Sequence, residues 1–421
     1  MNNLNLLRLG LATLILCCQF QGVATPIEPT PKQVCPVVVM LNELDELKIF
    51  ATTNSPAVRH DTLRAQPDLV YEYYVAEIGK QSPIDFDYNF HVRRYIDIYT
   101  TERKEQVSLM LGLSAMYFPL FDEYLDKYHL PLELKYLAAV ESALNPLAVS
   151  KTGAAGLWQF KINTARMFEL KVSSYIDERM DPEKSTEAAC RYLEYLYRTF
   201  NSWHLAIAAY NVGPEPIRKA IARNHGETNF WKLYDELPEA AQNYVPAFIA
   251  AAYVMQHYGD HGITPVRPIV TFEQTDTVHV AQAISFSTLS QTLNVPIEFL
   301  RYLNPMYRLD YIPEDNQQHI LRLPPDKAVL FTANKEFILS NSHKTNPFQR
   351  IASGSVGEYS KKSKMITYTV KEGDSINKIA INYFCTLDLI KQWNPGLDTL
   401  LNVGQTLTIW LSEDEFKKVN S

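Results

Sequence analysis

Cysteine is scarce, with five in 421 residues. Cys17 and Cys18 fall in an apolar N-terminal segment that reads as a removable leader. That leaves Cys35, Cys190 and Cys385, an odd and widely spaced set. It offers no disulfide framework and no metal-ligand pairs, so conventional cores must hold the fold. Cationic charge is in deficit as well: 40 Lys and Arg stand against 47 Asp and Glu, a net charge of -7. This argues against a nucleic-acid partner, because phosphate neutralisation needs clustered cations. No glycine-rich phosphate loop and no Ser-His-Asp pattern stands out. His257 and His261 have the i, i+4 spacing of a zinc half-site. Gly259 interrupts the helix that would align them, and no acidic base motif accompanies them, so they read as solvent-facing polar residues and no metal is expected. Long apolar runs are absent apart from Leu9 to Cys18, which is too short for a permanent membrane span.

What remains describes an ordinary folded chain, 46% hydrophobic and 21% charged, long enough for roughly two to four domains. The 25 Tyr and 5 Trp suit stacking on uncharged sugar rings, although aromatics equally fill cores. Arg8, the apolar stretch after it and Gly22-Val23-Ala24 compose a signal peptide over residues 1–24, which predicts export. Cys17 after Leu14-Ile15-Leu16 loosely matches a lipoprotein signal, but Leu16 is bulky for that position. Membrane association is expected only if Cys17 is lipidated.

Residues 25–115 form an N-terminal extension, Pro-rich at first and helical from about residue 86. From Pro131 to about residue 262 the pattern is almost wholly helical. Asp181-Pro182 is a helix start and Gly226 a helix stop. The character changes at the C-terminus. Residues 366–411 alternate as a strand at Thr367 to Val370, turn at Gly373-Asp374, and then give two short helices. Asn394-Pro395-Gly396 closes the second helix before a return strand at Leu407, Ile409 and Leu411: β-α-α-β. Residues 275–324 hold a fainter copy, with TVHV and HILRL as strands and Asn304-Pro305 at the place of Asn394-Pro395. Residues 326–364 read as a linker.

One helix poses a chemical problem. YLAAVESALNP places Glu141 inside the stripe of Leu134, Leu137, Ala138 and Leu144; at about 100° per residue, Leu134 and Glu141 are about 20° apart. An ionised carboxylate there loses hydration, so it either finds a partner or has its pKa raised. A carboxylic acid still protonated near neutrality is what cleavage of a glycosidic bond requires. The plainer alternative is a core acid bonded to a backbone amide or a tyrosine. Further on, Ser150 precedes KTGAAGLWQF. There Gly153 and Gly156 permit close approach of backbone to a sugar and Gln159 can hold an acyl or hydroxyl group, or the whole is a plain glycine loop before a helix. Tyr210 and Asn211 of AAYNVG, and Tyr244 of QNYVP, are equally explained by capping and packing.

Taken together, the order ES…S-x-x-GAxGLWQ…AYNxG…YV resembles the soluble-lytic-transglycosylase domain, and 366–411 resembles a LysM module. The combination is similar to lytic transglycosylases of the membrane-bound D type. The resemblance implies a mainly α fold: a lysozyme-like helical catalytic domain at 116–265, then small α+β modules, a divergent LysM-like one at 275–325 and a LysM domain at 365–412. It implies cleavage of the MurNAc-β-1,4-GlcNAc bond of peptidoglycan, with Glu141 first as acid and then as base for the C6 hydroxyl, giving a 1,6-anhydro product. It implies no cofactor, peptidoglycan glycan strands as partner, and the periplasm or envelope of a Gram-negative bacterium as location. By the same resemblance Ser150, Gly156, Gln159, Tyr210, Asn211 and Tyr244 contact substrate or orient the acid. One departure stands out. Ala240-Ala241 occupy the place where such domains carry Glu-Thr, and Glu239, one residue earlier, points about 100° away on a helix. The rival expectations are a hydrolytic muramidase of the goose-lysozyme kind and a catalytically silent wall-binding protein.

Overall fold

The structure, a computed structural model, describes residues 35–50, 67–271, 274–342, 363–371, 374–383, 385, 387–397 and 401–412. The expected leader with Cys17, and most of the expected linker, lie outside the described residues. The fold is mainly α up to residue 263. Helices α1 (Pro36–Glu43), α2 (Asp68–Gly79), α3 (Phe90–Asp97) and α4 (Lys104–Lys127) lead to α5 (Tyr136–Ser142), α6 (Ile162–Met167), α7 (Pro182–Phe200), α8 (Trp203–Val212), α9 (Pro214–Arg223), α10 (Phe230–Leu233) and α11 (Glu239–His257).

Helix α11 is the axis of the domain. Every residue from Tyr244 to Met255 is buried, and α3, α5 and α8 all pack on it. A helix apolar on all sides is a core helix, and Ala247, Ala250, Ala251 and Ala252 let three neighbours come close. Asp181 caps α7 as its sequence predicts, accepting from Glu183 N at 2.9 Å and Lys184 N at 3.0 Å. His261 departs from expectation. It is buried, its Nε2 is 2.9 Å from Tyr253 Oη, and its ring stacks on Tyr71; burial pushes its pKa down to about 4. Helix α11 ends at His257, and a 3-10 turn over Tyr258–His261 carries His261 inward rather than to solvent.

The almost wholly helical pattern expected from Pro131 onward does not hold. Leu132–Lys135 is a 3-10 turn before α5, and residues 143–181 are loop except for α6. Isolated antiparallel bridges, Val149 with Ala155 and Ala155 with Phe160, tie this loop to itself. Its apolar residues Leu157, Trp158 and Phe160 are buried without helical period because the chain folds back on itself. Trp158 is wholly inside, against Phe121, with its Nε1 donating to Thr186 Oγ1 at 2.9 Å.

Two small α+β units follow. In the first, β1 (Asp276–Val280) pairs antiparallel with β4 (His319–Leu323), and β2 (Ile284–Ser285) with β3 (Tyr311–Ile312), around α12 (Phe286–Leu293) and α13 (Ile297–Leu303). In the second, β5 (Ser363–Thr369) pairs with β6 (Thr406–Ser412) beside α16 (Ile376–Asn382) and α17 (Leu387–Trp393). The repeat suspected from the Asn-Pro pairs is visible in three hydrogen bonds. Asn304 Nδ2 donates to Leu300 O and Arg322 O, and Arg322 N donates to Asn304 Oδ1. Asn394 does the same with Ile390 O, Thr408 O and Thr408 N. Each asparagine thus closes its second helix and pins the return strand. The stretch expected to begin a linker at 326 is instead helical up to residue 342, as α14 (Pro325–Ala333) and α15 (Lys335–Ser342). Ala328, Phe331, Ile338 and Leu339 are buried in the first unit's core.

Candidate active site

Glu141 sits in the last turn of α5. Tyr136, Leu137, Ala138, Ala139, Val140 and Ser142 are all buried; Glu141 alone in the helix is half-buried. The sequence suggests an acid within one stripe, whereas the helix is enclosed on every side and the acid marks its single opening. The helix ends because Ala143 and Leu144 both take positive φ, 50° and 64°, a costly conformation for non-glycine residues. Ser142 holds the turn from beneath, its Oγ within hydrogen-bond distance of Ala138 O (3.0 Å) and Leu157 O (2.8 Å).

Burial raises the Glu141 carboxyl from its ordinary 4.5 to about 7, against the opposing pull of a hydrogen bond from Tyr244 and the charge of Lys161. Tyr244 Oη donates to Glu141 Oε1 at 2.5 Å. Both expectations for this acid therefore meet: it is bonded to a tyrosine, and it is also held near the midpoint of its titration at neutral pH. Such a group can give a proton and take one back without leaving its site. Tyr244→Phe removes a donor that favours the charged form. The Glu141 limb of the pH–rate profile is expected to move to higher pH, with an about tenfold or greater loss of rate. An unmoved limb overturns this role for Tyr244.

The loop from Ala148 to Phe160 lies alongside. Gly156 has φ +83°, and a Cβ there would lie 2.0 Å from Arg179 O, so only glycine fits. Gln159, itself at φ 48°, donates through Nε2 to Ala148 O and Gly156 O, while its buried Oε1 has no hydrogen-bond partner among the described residues. A buried acceptor without a partner among the described residues suits an N–H or O–H donor from a ligand that reaches it. Tyr210, from α8, donates to Trp158 O at 2.9 Å rather than to the acid, although the two are close enough to interact electrostatically. Asn211 follows it, half-buried near the end of α8. Ser150 stands at the base of the loop, where its Oγ accepts from Ala154 N at 3.0 Å. Among the described residues neither Asn211 nor Ser150 is hydrogen-bonded to Glu141. The structure thus joins Glu141 directly to Tyr244, and through the 157–160 turn to Tyr210 and Gln159.

At the departure site Ala241 is buried while Ala240 and Glu239 are exposed at the start of α11. Glu239 does not take the place of a carboxylate beside Tyr244. Motif reading also missed three residues. Lys161 supplies the positive field at Glu141, and Asp177 and Arg179 form a buried ion pair under the loop. Lys161, next to Phe160, was legible as a nearby cation; the pair at 177 and 179 had no sequence signal tying it to residue 153. Among the described residues no group of three or more His, Cys, Asp and Glu is placed to hold a metal ion.

Residues 119–233 match the sequence family described as "Transglycosylase SLT domain". The chain carries a transglycosylase SLT domain. That domain match takes in α5, the Gly156–Gln159 loop and α8, but stops before Tyr244, which α11 brings in from outside it. Residues 274–338 match "Lytic transglycosylase MltD, LysM-like domain", which includes α14 and the first part of α15, and 368–410 match "LysM domain". The chain is 29% identical over 289 residues to membrane-bound lytic murein transglycosylase D of Escherichia coli, covering 67% of this chain and 61% of that protein. It is 31% identical over 152 residues to the soluble lytic murein transglycosylase of the same organism, covering 34% and 24%. Over 136 residues it is 35% identical to a membrane-bound lytic murein transglycosylase F of Alkalilimnicola ehrlichii, covering 29% and 26%. This chain therefore spans about three fifths of the first relative's length and less of the others.

Proposed function

We propose that this protein is a lytic transglycosylase that cleaves the MurNAc-β-1,4-GlcNAc bond of peptidoglycan without water. The observation that carries the proposal is the Tyr244–Glu141 pair, a carboxyl raised by burial to about 7, set against an SLT domain match. Protonated Glu141 gives its proton to the glycosidic oxygen as the bond from the anomeric carbon breaks. The resulting carboxylate accepts the proton of the MurNAc C6 hydroxyl, whose oxygen bonds to the same anomeric carbon. The acid is restored and a 1,6-anhydro ring leaves. Tyr244 steadies the charged intermediate state of the acid, and Gln159 Oε1 accepts from the substrate. A single carboxyl suffices because the nucleophile belongs to the substrate.

The LysM domain and the LysM-like unit support binding to glycan strands, and tethering a weak binder to the catalytic domain raises local substrate concentration. The N-terminal signal supports export to the envelope. Among the described residues no helix is long and apolar enough to cross a membrane. Mass spectrometry of digested sacculi tests the proposal: anhydro-muropeptides without reducing ends are expected. Reducing-end products would instead establish hydrolysis, and retention on sacculi with no products would establish a binding protein.

A further inference from the structure

The first LysM-like unit is not free of the SLT domain. Ile176 and Tyr307 form an antiparallel bridge, Asp177 N donates to Met306 O at 2.9 Å, and Arg308 N donates to Tyr175 O at 2.8 Å. The Ile176 side chain packs against the unit's own hydrophobic core. In this first copy the stretch after Asn304 is used for docking.

What it docks on matters for the site. Asp177 turns its carboxylate the other way, onto Arg179: Oδ1 accepts from Nε at 2.9 Å and Oδ2 from Nη2 at 2.6 Å. Both side chains are buried. The remaining guanidinium nitrogen, Nη1, donates to Gly153 O at 2.7 Å and Phe160 O at 3.0 Å. One side chain therefore ties together the two ends of the Gly153–Phe160 loop, and its own carbonyl is the surface on which Gly156 rests. That loop presents Gln159, and its Leu157 carbonyl is 2.8 Å from the hydroxyl of Ser142, the residue after Glu141. A planar fork fixed by a bidentate carboxylate is a rigid spacer, which a lysine cannot reproduce.

We propose that Arg179 is a positioning residue for the substrate loop, and that the LysM-like unit acts as a strut that holds the Tyr175–Arg179 segment from behind. The unit then contributes the geometry of the loop in addition to glycan binding. This rests on the activity proposed above, but one of its measurements does not.

Full-length Arg179→Lys and Ile176→Ser, with Ile176→Val as the conservative control, are compared with wild type by hydrogen–deuterium exchange and by digestion kinetics. Arg179→Lys is expected to speed amide exchange in 153–160 at least about tenfold. It is expected to lower kcat by about tenfold or more, with the midpoint of the pH–rate profile little moved, because burial and the Tyr244 hydrogen bond, which outweigh Lys161 at Glu141, come from other elements. Ile176→Ser, at the docking contact with the LysM-like unit, is expected to speed exchange in the same 153–160 peptides, and Ile176→Val to restore protection. Wild-type exchange in 153–160 in both variants overturns the strut. So does a rate loss that merely follows the unfolded fraction and vanishes on cooling. If wild type yields no anhydro product, the activity proposal fails and the exchange measurement still decides the positioning role.

Discussion

Glu141→Gln is expected to lower the rate of peptidoglycan digestion by about 10²–10⁴-fold, the range that a positioned proton donor contributes. Glutamine keeps the shape of the side chain and can neither give nor receive the proton at the glycosidic oxygen. Digestion at the wild-type rate would remove Glu141 from the chemistry. The same variant carries a second and opposite signature in stability. Because burial raises the folded carboxyl from 4.5 to about 7, the folded state retains a proton between those values that the unfolded chain has lost. Wild-type stability therefore falls as pH rises through that window and stays reduced above it. Glutamine does not ionise, so Glu141→Gln is expected to be more stable than wild type at pH 8 by about 2–3 kcal/mol, and close to it at pH 4. Denaturant midpoints at the two pH values measure the difference. An equal shift at both would mean that the carboxyl is not desolvated. Lost activity with gained stability is the pattern of a site held at energetic cost for function.

Gly156→Ala is expected to destabilise the SLT domain by about 3–5 kcal/mol, combining strain at a φ accessible to glycine with overpacking. The added methyl would meet Arg179 O at 2.0 Å and Arg179 C at 2.8 Å, both main-chain atoms with no rotamer to change. Gly226→Ala separates the two causes. Gly226 has nearly the same φ, +85°, but nothing lies within 4 Å of its would-be Cβ, so only the conformational cost of about 1–2 kcal/mol applies. Thermal melts of the two variants are expected to differ markedly. Equal melts would show that the loop moves off Arg179 at little cost, and the close approach would then have no structural weight.

Much of the site was legible because its residues carry chemical contradictions that sequence displays. A carboxylate among leucines and alanines at 134–144, glycines at 153 and 156 in an apolar stretch, and a Tyr-Asn pair at a helix end each violate a local expectation. The modules were legible because Asn304-Pro305 and Asn394-Pro395 recur after the same pattern, and the same three hydrogen bonds explain why. Other features were misread. The glycines of KTGAAGLWQF marked a loop, but the broad reading of 131–262 as almost wholly helical did not extend that loop to the whole of 143–161. Residues 326–342 read as linker because Phe331, Ile338 and Leu339 are few among polar neighbours. They become a face only when β1, β4 and α12 supply something to cover. His261 turned inward because α11 gives way after His257 to a 3-10 turn, which spacing alone does not reveal.

Local pattern and residue chemistry by themselves determined the mainly helical class, the repeated β-α-α-β units, and the setting of the Glu141 carboxyl among apolar residues. These depend on neighbours within a few positions, where periodicity is informative. Tertiary structure alone decided which tyrosine bonds the acid, why Gly156 admits no side chain, and that Asp177 and Arg179 join the LysM-like unit to the loop beside the site. Those contacts bring together residues that are 103, 23 and 26 positions apart, and direction in space at such separations is set by packing, not by spacing along the chain.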